Sequence, residues 1–308
     1  ARSPDIDTAA RHGIFNSIAS IGDPNELRAI FNRDFHPNPA SQAAAFVALQ
    51  NAATSREVKP KDDLNEPLRA AIKSDNDELC IRALSLASVW KLTDLSADIR
   101  ALAGGSKSQP VRIAAILTLG QLGRDDSLFS DLLNDAETAE SLKLAALNSM
   151  SRIDMNAAAN FGAKMVATGG NTSEVLVLFF SREGGSKVLA EALLKNDLKA
   201  GPAAKALAAL QATGSSDETL TQVLSKAAGI AVAGPVYSEN FVRDLARESV
   251  GGNAARGKEV FHSVGCVACH RVGAPTAGIT HIGPELSTIG NTLSTERIIE
   301  EVLWPGRA

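Results

Sequence analysis

The chain has 308 residues, 44% of them hydrophobic and 21% charged, with a net charge of −4. That balance describes folded material rather than a disordered polymer, and it lacks the basic excess through which a protein grips nucleic acid. The longest strongly apolar run, Val175 to Phe180, falls far short of the ~20 residues a membrane-spanning helix needs, so no transmembrane segment is expected.

Ala1 follows no methionine or leader pattern, and "RIIEEVLWPGRA" stops just after a helix, so the sequence reads as an internal piece of a longer polypeptide. Aromatics are scarce at 4%, which suits helices packed through alanine and leucine. The dominant pattern is a repeat. "AAAFVALQN" from Ala43, "IRALSLASVWKL" from Ile81, "VRIAAILTLGQLG" from Val111, "LKLAALNSMSRI" from Leu142 and "AAKALAALQA" from Ala203 share apolar residues at helical spacing, with small residues on the same face. Ala45, Ala83, Ala115, Ala146 and Ala206 fall at comparable positions, in steps of 38, 32, 31 and 60 residues. The double step predicts a further unit at "SEVLVLFF" from Ser173. A shorter helix precedes each of these: "NEPLRAAIKS", "SADIRALAGG", "DSLFSDLL", "AANFGAKMVA" and "GSKVLAEALLK", with "SDETLTQVLSK" following the last. Pro67 and Pro110 fit a helix's first turn.

Paired helices at a fixed period predict a solenoid, because one pair cannot bury its apolar stripe alone and stacked neighbours build a continuous core. The pattern resembles HEAT repeats, "VRIAAILTLGQLG" most closely, at a period shorter than the ~40 residues usual for that class. Cys80, in "LCIRALSLASVW", reads as a buried small apolar side chain. No long strand pattern appears. Gly234-Pro235 reads as a turn or linker, a helix "SENFVRDLARESV" comes next, and "GGN" from Gly251 marks a boundary. The expected domains are a helical-repeat solenoid over 1–250 and a second domain over 251–308.

In that second domain "NAARGKEVFHSVG" reads as a helix with Asn253 as N-cap, and "STERIIEEVL" as a last helix stopped by Pro305. Between them stands Cys266-Val-Ala-Cys269-His270. Two thiols one turn apart, with a histidine directly after the second, suit covalent attachment of haem through two thioethers, the histidine facing the iron. Zinc is an alternative, with Cys266 and Cys269 joined by two of His262, His270 and His281, although a second cysteine pair is missing. A redox dithiol or a disulfide across the same spacing are weaker alternatives, since a βαβ setting is lacking. So short a segment with few apolar residues also needs a large apolar group to fold around.

The string "GKEVFHSVGCVACHRVG…HIGPELSTIGNTLSTERIIEEVLWP" resembles the haem-binding cytochrome c domain of large secreted planctomycete and verrucomicrobial proteins, where it comes after HEAT-like repeats, often with a quinoprotein-dehydrogenase-like β-propeller upstream. The resemblance covers the whole chain in order. It implies an all-α fold, a HEAT-like α-solenoid followed by a small, incomplete class I-like cytochrome c domain. It implies one covalent haem c on Cys266 and Cys269, with His270 as the proximal iron ligand. Pro284 matches the proline whose carbonyl receives that histidine's ring N–H, a bond that fixes the tautomer. Gly283 admits the haem edge, Phe261 packs on the haem, and Leu286 and Ile289 line its pocket. The family's distal methionine lies beyond the last helix. Here Met150, Met155 and Met165 all fall in the repeats, so its segment is expected outside these residues.

The function expected from this resemblance is a periplasmic or otherwise exported electron-transfer module rather than a catalytic domain, serving a redox partner protein or a β-propeller dehydrogenase domain acting on a sugar or alcohol. The alternatives are an interaction scaffold with a structural or sensory haem, or an open-site haem enzyme. No Ser–His–Asp set, phosphate loop or H-E-x-x-H motif occurs. The pairs Asp62-Asp63 and Glu300-Glu301 read as solvated charge on polar helix faces.

Overall fold

The computed structural model describes residues 7–105, 108–123, 126–213, 217–230, 237–249, 251–268, 270–273 and 283–304. Cys269, His281, Gly234, Pro235 and Pro305 therefore lie outside the described residues. The architecture is all-α, and among the described residues the sole β feature is an isolated parallel bridge between Arg271 and Glu285. The chain forms two compact units, Ala1–Gly162 and Ala163–Ala308.

The first unit holds α1 (Thr8–Ile21), α2 (Pro24–Phe31), α3 (Pro39–Arg56), α4 (Asn65–Ile72), α5 (Asp77–Val89), α6 (Ser96–Gly104), α7 (Gln109–Gln121), α8 (Asp126–Asn134) and α9 (Glu140–Ile153). Local chemistry starts them. Asp7 accepts from Ala10 N–H to cap α1. At α2, Asp23 and Glu26 form a reciprocal capping box with Pro24 in the first turn. Asn38 and Asn76 cap α3 and α5. Packing then obeys one rule. The odd-numbered helices touch in succession, α1 on α3, α3 on α5, α5 on α7 and α7 on α9, and each even-numbered helix packs on the odd one after it. This is the neighbour-to-neighbour packing of a repeat architecture, consistent with a solenoid-like arrangement.

The repeat is visible in burial. Ala45, Ala83, Ala115, Ala146 and Ala206, the positions aligned in the sequence, are all fully buried, as is Leu176 at the midpoint of the double step. Phe15, Phe46 and Phe129 are fully buried in the first unit's core, each worth roughly 1.5–3 kcal/mol in removed apolar surface. Small residues let the helices approach closely. At Gly120 on α7 a Cβ would stand 2.6 Å from the Ser149 Cα of α9, so only glycine fits there. Polar bonds climb the stack at the same period. The Thr118 hydroxyl donates to the Leu84 carbonyl (3.4 Å), and the Ser149 hydroxyl to the Ile116 carbonyl (2.9 Å). Arg56 donates to the Ala19 and Gly22 carbonyls at the end of α1 (2.8 and 2.9 Å), and Arg69 to Asp98 (2.8 Å).

The next helix, α10 (Met155–Thr168), straddles the division in the chain. The second unit contains α11 (Thr172–Phe180), α12 (Gly185–Lys195), α13 (Ala200–Ala212), α14 (Glu218–Ala227), α15 (Glu239–Ser249), α16 (Ala254–Ser263), α17 (Ile289–Thr292) and α18 (Thr295–Leu303). α11 packs on α12 and α13, and α14 on α12 and α13, around Phe179, Leu189, Leu210 and Leu224. α15 instead packs on α18. Their contact joins the Tyr237 hydroxyl to Glu300 (3.0 Å) and sets Tyr237 and Phe241 edge-on to Trp304 at 5.2 and 6.4 Å between ring centres. The compositional boundary at 251 thus falls inside a helix pair. Among the described residues no helix is long and apolar enough to cross a membrane.

The carboxylate pairs are more engaged than free surface charge. Asp62 pairs with Arg28 at 2.7 Å, Asp63 accepts from the Asn65 and Glu66 N–H groups at the start of α4, and Glu300 takes the Tyr237 hydroxyl. Cys80 is fully buried, its thiol directed at the Ile72 carbonyl 3.1 Å away.

Candidate functional site

From 251 onward the sequence supplies little to bury, and the structure shows the consequence: among the described residues of this segment none is buried. Val260, Val264, Val272 and Val302 are exposed to between 47 and 71%. Apolar side chains left in water on this scale belong to a segment completed by something apolar.

The segment is nonetheless locally ordered. Asn253 accepts from the Arg256 N–H (3.0 Å) and starts α16. Gly265, at φ 88°, turns the chain out of that helix into a 3-10 turn over Cys266–Ala268. The His270 N–H then closes onto the Cys266 carbonyl (2.9 Å), which puts the histidine one turn past the first cysteine. Cys266 is an exposed free thiol. Cys269, the other thiol of the spacing, lies outside the described residues.

The His270 ring has one defined partner, the carbonyl oxygen of Pro284, 3.0 Å from Nδ1. A carbonyl can only accept, so Nδ1 carries the proton and Nε2 presents its lone pair. A second strand-like contact holds this pairing. Arg271 bridges to Glu285, and the Leu286 N–H donates to the Arg271 carbonyl (2.9 Å). Gly273, at φ 94°, donates its N–H to the Ser287 hydroxyl (2.6 Å) and, more weakly, to Glu285 Oε1 (3.4 Å). The Ser287 N–H donates to the same Glu285 oxygen (2.7 Å), and Arg271 reaches the Gly273 carbonyl (2.8 Å). Hydrogen bonds from the Ser287 side chain and backbone, helped by the Gly273 N–H and the Arg271 charge, hold the Glu285 carboxyl below the usual range.

The structure thus brings His270 to Pro284, with Gly283, Leu286 and Ile289 half-buried along the same chain and Phe261 half-buried on α16. His262 is exposed on α16. Arg271, Gly273, Glu285 and Ser287 form the clasp that sequence reasoning missed. Its bonds cross a loop between residues of no distinctive spacing, so no periodic signal could reveal them. Among the described residues no three His, Cys, Asp or Glu side chains gather as a metal cluster.

The largest cavity among the described residues, about 840 Å³, lies in the first unit and is lined by Arg28, His36, Gln42, Asp62 and Lys73 among others. Its polar groups are occupied by caps and pairs such as Arg28–Asp62 and Lys73–Asp98. Compared with known proteins, no protein-family model matches the chain, and no curated protein matches its sequence.

Proposed function

We propose that this chain carries one covalently attached haem c on its C-terminal segment, and that it passes electrons for a redox partner while the helical repeats serve as scaffold. The observation that carries the reading is the bond between His270 Nδ1 and the Pro284 carbonyl, made by the histidine that directly follows the Cys266–Cys269 pair. A donor set of two thiols and a neutral imidazole with its proton fixed on the far nitrogen fits haem c. The exposed valines of a segment with no buried residue among those described fit a large apolar group.

Cys266 and Cys269 would hold the group as thioethers, and Nε2 of His270 would be the iron's proximal ligand. Bound haem supplies a centre that takes up and releases one electron. The chain's own part is orientation. The Pro284 carbonyl fixes the imidazole's tautomer and raises its basicity, and Phe261, Leu286 and Ile289 offer apolar surface that keeps water from the ring. In this reading the protein works in the periplasm or a similar exported compartment. Its partner is a redox protein or a β-propeller dehydrogenase domain.

The test is the visible spectrum of the full chain produced in an exporting host, oxidised and dithionite-reduced, with and without carbon monoxide. Covalent haem surviving acid-acetone extraction, with sharp reduced α and β bands indifferent to carbon monoxide, is the expected result for a six-coordinate relay. A reduced spectrum shifted by carbon monoxide would move the function to ligand chemistry at an open iron. Absence of a Soret band would sink the haem and bring zinc forward.

A further inference from the structure

Two short stretches meet beneath His270, and neither is long enough to count as a strand pair. Only Arg271 and Glu285 form a bridge among the described residues, with one backbone bond beside it from Leu286 to Arg271. A single bridge of this kind is marginal, since even a full two-stranded hairpin is barely stable in water. Yet the ring bond to Pro284 depends on it, because the acceptor is a backbone carbonyl whose position is set by the 283–287 chain.

Side chains close the remaining gap. The Ser287 hydroxyl accepts from the Gly273 N–H at 2.6 Å and donates to the Glu285 carboxylate, and Glu285 Oε1 in turn accepts from the Ser287 N–H at 2.7 Å. The result is a closed circuit: Gly273 N–H, Ser287 hydroxyl, Glu285 carboxylate, Ser287 N–H. It ties the chain three residues after His270 to the chain immediately after Pro284. Because one carboxylate oxygen collects these donors, the bonds are charge-assisted and stronger than neutral ones.

We propose that Glu285 and Ser287 are positioning residues for the histidine ligand, setting through the Pro284 carbonyl which ring nitrogen of His270 holds its proton and how strongly Nε2 donates. The proposal rests on the haem reading for its redox consequence but not for its tautomeric one. Loss of the clasp frees Pro284 to drift from Nδ1. The ring then loses its acceptor, the ligand becomes a weaker donor, and the oxidised iron is less favoured.

The test uses the full chain with Ser287→Ala, with Glu285→Gln, which keeps the acceptor oxygen but removes its charge, and with both together. Two readouts are taken. The first is the reduction potential of the haem-loaded protein at unchanged haem content and helicity. It should rise from wild type to Glu285→Gln to the double variant. The second is the ring-nitrogen NMR spectrum of His270 in the full chain expressed without haem attachment. Wild type should show an Nδ1-protonated ring, and the double variant should show the mixture of tautomers of a free imidazole. Glu285→Gln is expected to stay close to wild type in this second readout and keeps the test alive if the double variant fails to fold. Variants that retain both the wild-type potential and the wild-type tautomer would overturn the positioning role and leave the haem reading standing. A wild-type chain with no covalent haem would overturn that reading, and the ring spectrum alone would then decide the clasp.

Discussion

Gly120→Ala places one methyl group where α7 meets α9. Its carbon would stand 2.6 Å from the Ser149 Cα and 2.5 Å from the Ser149 Cβ. Carbon atoms settle at about 3.5–4.0 Å, so α9 must withdraw by about 1 Å, and the obstacle is backbone that no rotamer change can remove. Overpacking of this kind costs roughly 1–3 kcal/mol. The withdrawal also strains the buried bond from Ser149 to the Ile116 carbonyl, now 2.9 Å, a bond worth about 1 kcal/mol. Alanine's better helix propensity returns about 1 kcal/mol. The net expectation is a loss of about 2 kcal/mol, or a fall in Tm of roughly 4–8 °C for a unit of this size. Thermal unfolding of the full chain followed by circular dichroism would measure it, with Trp90 fluorescence reporting the first unit. Adding Ser149→Gly removes the Cβ clash and should make the pair of changes less than additive. A Gly120→Ala protein as stable as wild type, or more so, would refute the close approach of α7 and α9 and the packing logic built on it.

His36 gives a pH dependence. Burial, the dominant cause, pushes its imidazole below the ordinary 6.5 despite the Ile30 carbonyl that accepts from Nε2 at 2.9 Å. The unfolded chain therefore binds the proton first as pH falls, so the contribution is whole above about 6.5 and is lost as pH drops through the lower folded value. Tm measured from about pH 7.5 to 5 should decline, and His36→Gln should flatten that slope. Asp98, held below the usual carboxylate range chiefly by the hydrogen bond from Arg69 and also by Lys73, should give a destabilised protein as Asp98→Asn, with an effect that shrinks as salt is raised. Tyr237→Phe should cost about 1 kcal/mol by removing the bond to Glu300, and hydrogen exchange across 251–294 should quicken. Cys266→Ala should leave haem attached through a single thioether, read as a red-shifted α band in the pyridine haemochrome spectrum.

The repeats are legible in the sequence because burial and periodicity coincide: the aligned alanines point inward and the breaks between helices carry Gly, Pro, Asn and Asp. The helix at Pro24–Phe31 is easily passed over, although its signal is there in "DPNE", whose Asp23 and Glu26 form the capping box. The helix at Thr8–Ile21 shows only Arg11, Phe15 and Ala19 as its inward stripe, too few to register as a repeat. At the site, the cysteine spacing points to His270, while Pro284 enters through a resemblance. Glu285 and Ser287 give no sign, because their partner is the backbone of Gly273, and backbone donors leave no trace in residue identity. The pairing of α15 with α18 is equally hidden, since Tyr237 and Trp304 are far apart in the chain and meet only after folding.

That last pairing alters the polymer problem facing the cysteine turn. With Glu239–Ser249 fastened to Thr295–Leu303, the stretch between them is a loop pinned at both ends rather than a dangling tail. The entropy of gathering a loop grows only slowly with its length, so most of the penalty for bringing 270–273 near 283–287 is already met by the anchoring aromatics. Within the pinned loop the two stretches search a small volume, at a high effective concentration of each for the other. A bridge too weak to persist on a free tail can then hold its place at the centre of a tethered one.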